Sequence, residues 1–469
     1  MAAVAGGGAG GSAGASEADW GRLAKSVTGR LLRPGDAGFQ DGSAPFNRRY
    51  TRTVPTGVLN AADVADVRQA VRWARETGVP IVPRGGGHSY GGYSVNSGLV
   101  LNLQALGSVT VDGSTGLVVT GGGALTEAVY TAVAPHQAVF PLGNGATVGV
   151  AGLALGGGSA ATSRALGLTA DTMVRTEIIT ADGESLVCDA EHNTDLFWAC
   201  RGGGGGNFGV NVSFTFQAVP IADVSTFLLL WEGPDALKVF EVAQEVMRRA
   251  PDAFSARLGA SRSAGTGITV SAIGLHLGPS AELRELLDPL LAVARPFRED
   301  IADRTFWEGK DYLAHETSAG AFAVRTHFAA EPLPPQAVAT ALEQLDRWPG
   351  GGNPDGCGMA LFGWGGAINR VDPGSTAFPH RDAHYLVSLD TSWGEQDSPA
   401  LVEANLRWLT DLHDSLTPWT TGGSYLNFAD PDLADWRTAY YGANYDRLLA
   451  VKRRVDPDGL FTFPQGIGA

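Results

Sequence analysis

Three glycine-dense blocks fall in the first half of the chain, and they constrain the fold more than any other feature. They read V-P-R-G-G-G-H-S-Y-G-G from residue 82, G-N-G-A-T-V-G-V-A-G-L-A-L-G-G-G-S-A-A-T-S-R-A-L-G-L from residue 143, and R-G-G-G-G-G-N-F-G-V from residue 201. Glycine has no Cβ and tolerates positive φ, so its backbone N–H groups can approach an anion closely. Apolar residues flank each block, which marks turns between packed elements rather than linkers. All three are expected to face one ligand. A phosphate is the first suspect, but phosphate binding needs no histidine. His88 and the glycines around it are therefore expected to serve different parts of one large ligand.

The formal charge of −15 argues against nucleic acid and anionic membrane surfaces as partners, since those need a basic face. Hydrophobic residues make up 44% of the 469 and charged residues 18%, a globular composition without an apolar run long enough to span a bilayer. Cys188, Cys200 and Cys357 are too few and too irregularly spaced for a disulfide framework or a metal site, so a reducing, cytoplasmic location is expected. The first 18 residues lack a signal-peptide pattern and read as a disordered tail. Monomer and homodimer both remain open.

Residues 60–78 read as a helix capped by Asn60, with Val64, Val67, Val71 and Ala74 at helical spacing and Gly78 as the stop. V-P-I-V-P, L-V-L-N-L and L-V-V-T-G read as strands. Beyond about residue 220 glycine thins out, and strands such as V-S-T-F-L-L-L-W and H-Y-L-V-S-L-D alternate with amphipathic helices. The pattern implies an α+β chain: a cofactor domain over 19–218, a substrate domain with an antiparallel sheet covered by helices over 219–417, and a segment over 418–469 returning to the first domain. V-V-T-G-G-G-A and L-G-G-G-S-A-A superficially suggest a dinucleotide turn, yet neither is followed by an acid about 20 residues on in a strand–turn–helix unit. Walker and H-E-x-x-H sequences are missing as well.

Read together and in order, R-G-G-G-H-S-Y, T-V-G-V-A-G-L-A-L-G-G-G, L-F-W-A-C-R-G-G-G-G-G-N-F-G-V and the closing W-R-T-A-Y-Y-G-A-N-Y-D-R-L-L-A-V-K-R-R-V-D-P-D-G-L-F-T-F-P-Q resemble the berberine bridge enzyme-like FAD-linked oxidases of the vanillyl-alcohol oxidase superfamily. The resemblance implies a two-domain fold with extended FAD, its pyrophosphate held by the loop of Arg84, Gly85, Gly86, Gly87, His88 and Ser89, with Tyr90 a further cofactor position. It implies a covalent bond from His88 to the flavin; a loop histidine making one hydrogen bond is the alternative. Gly145, Thr147, Val148, Gly149, Gly152, Gly156, Gly157 and Gly158, then Gly204, Asn207, Gly209 and Val210, carry over as cofactor positions, as do Asn427 and Asn444. Relatives with a second attachment carry cysteine in G-x-C-x-T-V-G, where this chain has Gly145, so a single attachment is expected.

The implied reaction takes a hydride from a small organic substrate and passes the electrons to O2, giving H2O2. Flavin dehydrogenation with poor O2 reactivity, and silent ligand binding, are the alternatives. Tyr425 and Tyr441 are the candidate catalytic residues, although a phenol near pKa 10 needs help to act as a base at neutral pH, and Tyr425 can equally be a buried aromatic bonding a backbone carbonyl. Phe428 replaces a tyrosine common in relatives. Trp364, Arg370 and His380 are candidate substrate contacts; Arg370, His380 and Arg381 could bind an acidic or enolic group, and Arg381 with Asp382 could instead form a structural turn.

Overall fold

The computed structural model describes residues 15–314 and 319–469; the expected tail lies outside these up to residue 14. Where it is described, the tail ends early. Ser16 caps the helix Glu17–Ser26 through a reciprocal capping box with Asp19, so 17 and 18 are already helical.

The glycine-rich half contains two larger sheets and, among the described residues, a two-stranded pairing of Ala138–Val139 with Val219–Pro220. Strands Gly57–Asn60, Leu99–Asn102 and Ile81–Arg84 pair in parallel, with Arg30–Leu32 added antiparallel at one edge. The helix Val64–Thr77 makes the crossover between Gly57–Asn60 and Ile81–Arg84. Its cap is Asp63, whose side chain accepts from Asp66 N–H, because Asn60 is still paired in a strand; Gly78 ends it at φ 69°. A five-stranded antiparallel sheet follows, built from Val109–Asp112, Leu117–Gly121, Val210–Gln217, Met173–Ile179 and Ser185–Asp189.

Residues 224–393 supply a seven-stranded antiparallel sheet ordered Arg298–Arg304, Val224–Glu232, Thr269–His276, Phe254–Arg262, Cys357–Gly363, Tyr385–Trp393 and Ala321–Ala329. Side chains alternate between the two faces of a strand. Ala256, Leu258 and Ala260, with Tyr385, Val387 and Leu389, face a core closed by the helices Ala236–Arg249, Pro335–Asp346 and Pro399–Leu416. Leu258 and Leu389 are fully buried there, so truncating either to Ala would cost about 2–5 kcal/mol. The residues between them, Ser255, Arg257, Gly259 and Ser261 on one strand and Ser388, Asp390 and Ser392 on the other, line a cavity.

The C-terminal residues pack on the third glycine block. Lys452 Nζ donates to Asn207 O at 2.7 Å and pairs with the buried Asp456 carboxylate at 2.6 Å, while Ile467 N–H donates to Asn207 Oδ1. Asn47 ties the first block to the large sheet, its Nδ2 donating to Tyr90 O and Phe322 O.

Candidate active site

A cavity of about 950 Å³ runs between the glycine blocks and the open face of the large sheet. At one end the parallel strand Ile81–Arg84 delivers the loop 85–90 to its wall, beyond the strand's carboxyl end, where open parallel sheets commonly bind ligands. None of the six N–H groups from Gly85 to Tyr90 donates to a described residue. Backbone donors are nearly always paired, so six consecutive free ones facing a cavity form a cradle suited to an anion. Arg84 stands beside it: one nitrogen donates to Ala44 O at 2.6 Å, and its buried Nη1 has no partner.

The loops touch too closely for side chains. A Cβ on Gly86 would lie 2.3 Å from Thr147 O, and one on Gly149 would lie 2.4 Å from Gly86 N. Gly86→Ala should therefore push the first two blocks apart and cut FAD content at purification several-fold, measured by the flavin-to-protein absorbance ratio. By contrast, a Cβ on Gly152 would meet nothing within 4 Å, and one on Gly145 only Val148 at 3.0 Å. These two line the cavity and leave room in it.

His88 stacks on Phe46 with 3.9 Å between ring centroids, and its Nε2 shares a 2.8 Å hydrogen bond with Thr147 Oγ1. Nδ1 has no partner among the described residues. Burial, reinforced by the Arg84 charge, depresses the imidazole pKa to about 4. The ring is thus neutral at physiological pH, with one nitrogen committed and the other free.

Among the other expected cofactor positions, Arg84 to Tyr90, Gly145, Val148, Gly149, Gly152, Gly204, Asn207, Gly209 and Asn427 line the cavity. Thr147 acts behind it, through His88. Gly156, Gly157, Gly158, Val210 and Asn444 do not reach the wall. Gly156 is small because Asn427 Oδ1 occupies the place of its Cβ, Gly158 N–H donates to Tyr425, Gly157 packs on Phe378, and Val210 is a fully buried strand residue. Asn444 instead holds the 373–377 loop through Pro373 O and Thr376 O.

Of the catalytic candidates, Tyr425 reaches the wall and Tyr441 does not. Tyr441 is fully buried behind the third glycine block, its hydroxyl donating to Gly203 O. The Tyr425 hydroxyl accepts from Gly158 N–H at 3.1 Å and from Asn427 Nδ2 at 3.2 Å. These bonds favour a phenolate, but burial outweighs them and pushes its pKa above 10, with no cation in contact.

The substrate candidates divide similarly. Trp364 lines the cavity. Arg370 is exposed and pairs with Asp252, while His380 stacks on Phe328 at 4.3 Å, behind the wall and neutral because burial lowers its pKa to about 4. Arg381 makes a bidentate pair with Asp171 at 2.7 and 2.8 Å, so both fix a loop. The acidic-group contacts expected from Arg370, His380 and Arg381 are not made in this cavity.

Three charged residues unremarked in the sequence, Asp390, Arg257 and Asp355, are on the wall instead. Asp390 accepts no side-chain hydrogen bond from any described residue, and burial raises its carboxyl pKa to about 7, only partly offset by Arg257. Close by, Tyr90 stacks on Phe428 at 5.0 Å and meets Phe322 edge-on at 5.0 Å, and burial together with the Asp390 charge lifts its phenol to about 12. The signal for Asp390 was present in L-V-S-L-D-T-S-W, whose alternate residues Ser388, Asp390 and Ser392 are polar.

A cradle of free amides leading to a wall with an acid–base group is a cavity suited to a large anionic cofactor and a second reactant. Comparison with known proteins agrees. Residues 55–189 match the FAD binding domain family and residues 424–468 the berberine and berberine-like family. The chain is 34% identical over 448 residues to the FAD-linked oxidoreductase YgaK of Bacillus subtilis strain 168, covering 94% of this chain and 97% of that one. It is 28% identical over 467 residues to the xylooligosaccharide oxidase of Thermothelomyces thermophilus, covering 92% and 90%. The solved structure of wild-type Physcomitrella patens BBE-like 1 superposes with a TM-score of 0.87 at 27% identity, covering 96% of this chain and 98% of that one. The chain belongs to the berberine bridge enzyme-like family of FAD-linked oxidoreductases.

Proposed function

We propose that this protein is an FAD-dependent oxidase of a small organic alcohol or related C–H donor, with Asp390 as the proton acceptor. One observation carries this reading: a carboxyl on the cavity wall, without a hydrogen-bond partner and titrating near neutrality, is suited to general base work at physiological pH.

The residues present fit FAD. The Gly85–Tyr90 amides and Arg84 are suited to hold its pyrophosphate, Gly145 and Gly152 give its ring room, and His88 is the point of covalent attachment. Thr147 orients that imidazole, and in the neutral tautomer that donates Nε2–H to Thr147 Oγ1 the lone pair lies on Nδ1. Bound FAD supplies a two-electron acceptor to the site. Tyr90, Phe428, Phe322 and Phe362 make the substrate end aromatic, and the burial of Asp390 lets its carboxylate accept a hydroxyl proton in a low-dielectric setting. Relatives are named for xylooligosaccharide and for reticuline, so the scaffold admits chemically different donors.

Dioxygen is the proposed electron acceptor, with H2O2 as product, and no nucleic acid or membrane takes part. The test is stopped-flow mixing of reduced holoenzyme with air-saturated buffer. Fast reoxidation with stoichiometric H2O2 supports an oxidase; slow reoxidation would identify a dehydrogenase. Tyr425→Phe should slow flavin reduction by less than about 10-fold, below the usual scale of losing a general base. A loss of 100-fold or more would return that role to the phenol. We further place the protein in the reducing cytoplasm, in keeping with three buried free thiols; a disulfide in the natively purified protein would contradict it.

A further inference from the structure

Arg257 lies on the cavity wall and donates no hydrogen bond to any described residue; its Nε is buried without a partner. Arg84, Arg164, Arg201 and Arg248 also hold one buried nitrogen without a partner, yet each donates through another nitrogen, whereas the Arg257 guanidinium donates through none. Arg164 donates to Trp364 O and Ala250 O, Arg381 clasps Asp171, and Arg325 pairs with Asp430 at 3.3 Å. A guanidinium carries five donors in a rigid fork, and keeping them unpaired away from water is unfavourable. A guanidinium with no donor engaged, held over a cavity, is suited to receive an anion.

The groups around it narrow the anion. Arg257 faces Ile273 on one neighbouring strand and Phe362 on the other, its guanidinium 5.9 Å from the Phe362 ring centroid. Gly259, Ala360 and Ser388 form the next cross-strand row, and Ser261, Gly358 and Asp390 the row after. The middle row is small, so the floor between the guanidinium and the Asp390 carboxyl is open. Asp390 is beyond ion-pair distance, yet its charge partly offsets the lowering of the Arg257 pKa by burial. A dianion such as a phosphate monoester would meet one cation and a nearby carboxylate. A planar monoanion matches the single fork.

We propose that the substrate carries a carboxylate, held by Arg257 against the large sheet, with its reacting carbon several bonds away on the Asp390 side of the cavity. This rests on the reading of the cavity as the site of oxidation. The FAD pyrophosphate does not compete for this arginine, because the free amides and Arg84 lie on the other side of the cavity, on the glycine blocks.

The experiment uses the holoenzyme at fixed ionic strength and follows the flavin absorbance on titration with sodium benzoate and with benzamide, its neutral counterpart. Benzoate should give a saturable spectral change and bind at least about 10-fold more tightly than benzamide, the scale of a charge-assisted hydrogen bond. Arg257→Met should remove that preference and Arg257→Lys should keep part of it. The Met variant loses a buried charge and no hydrogen bond, so its midpoint of thermal unfolding should be no lower than the wild type's, which establishes that it folds. Equal binding of the two probes, no saturable response in the millimolar range, or a preference retained in the Met variant would each overturn the proposal. So would a variant whose only change is the pH profile of flavin reduction, since Arg257 would then serve Asp390 alone. The titration needs no turnover, so it can fail while Asp390-dependent oxidation stands, and the reverse.

Discussion

Asp390→Asn should slow flavin reduction at pH 8 by roughly 100-fold or more while making the protein more stable at the same pH. The two effects share one cause. Burial lifts the carboxyl from its ordinary 3.8 to about 7, so the folded state holds a proton that the unfolded chain has already released. As pH rises from 3.8 to about 7 the unfolded state binds fewer protons, and stability falls across that window. Above it the folded protein bears the whole cost of a desolvated carboxylate, up to about 4 kcal/mol for a shift of this size. Asparagine removes the ionisation and the cost. The variant should gain on the wild type in thermal unfolding at pH 8 and not at pH 4, while wild-type reduction rates should climb through pH 7 as the carboxylate forms. A variant that is inactive but no more stable, or a wild-type rate independent of pH between 6 and 8, would count against Asp390 as the base.

Acid denaturation of the wild type should leave one FAD on the chain, recovered by mass measurement on a single peptide containing His88, and His88→Ala should release all of it. The imidazole is neutral at physiological pH, pinned at Nε2 by Thr147 and pressed against Phe46. A second link has no suitable thiol. By the resemblance Gly145 stands where doubly attached relatives carry cysteine, and Cys188 and Cys200 are buried in the apolar core. Cys357 does line the cavity, but burial raises its thiol to about 12, so the nucleophilic thiolate is scarce. FAD lost from the denatured wild type, or a flavin-linked cysteine peptide, would refute single attachment.

The misplaced residues share a reason. Tyr441, Arg370 and His380 stand out in the sequence by residue type and by nearness to recognisable motifs, and each finds a partner elsewhere: Gly203 O, Asp252 and the Phe328 ring. Asn60 looked like a helix cap because Asn is a good one, but pairing of Gly57–Asn60 with Leu99–Asn102 kept it in a strand. Local chemistry proposes partners; packing assigns them.

What the sequence determined by itself was the glycine-lined half. Missing side chains are written directly in the letters, and Gly86, Gly149 and Gly152 are where loops touch or a cavity needs room, so R-G-G-G-H-S-Y could be read as a cradle with its histidine. The substrate end was decided only by the tertiary structure. Alternation along L-V-S-L-D-T-S-W and F-S-A-R-L-G-A-S-R separates two faces of each strand, yet it cannot say whether the polar face meets bulk water or a closed cavity. Helices cover one face of the large sheet and the glycine blocks roof the other, and that roof desolvates Asp390 and Arg257, two strand residues that bulk water would leave unperturbed.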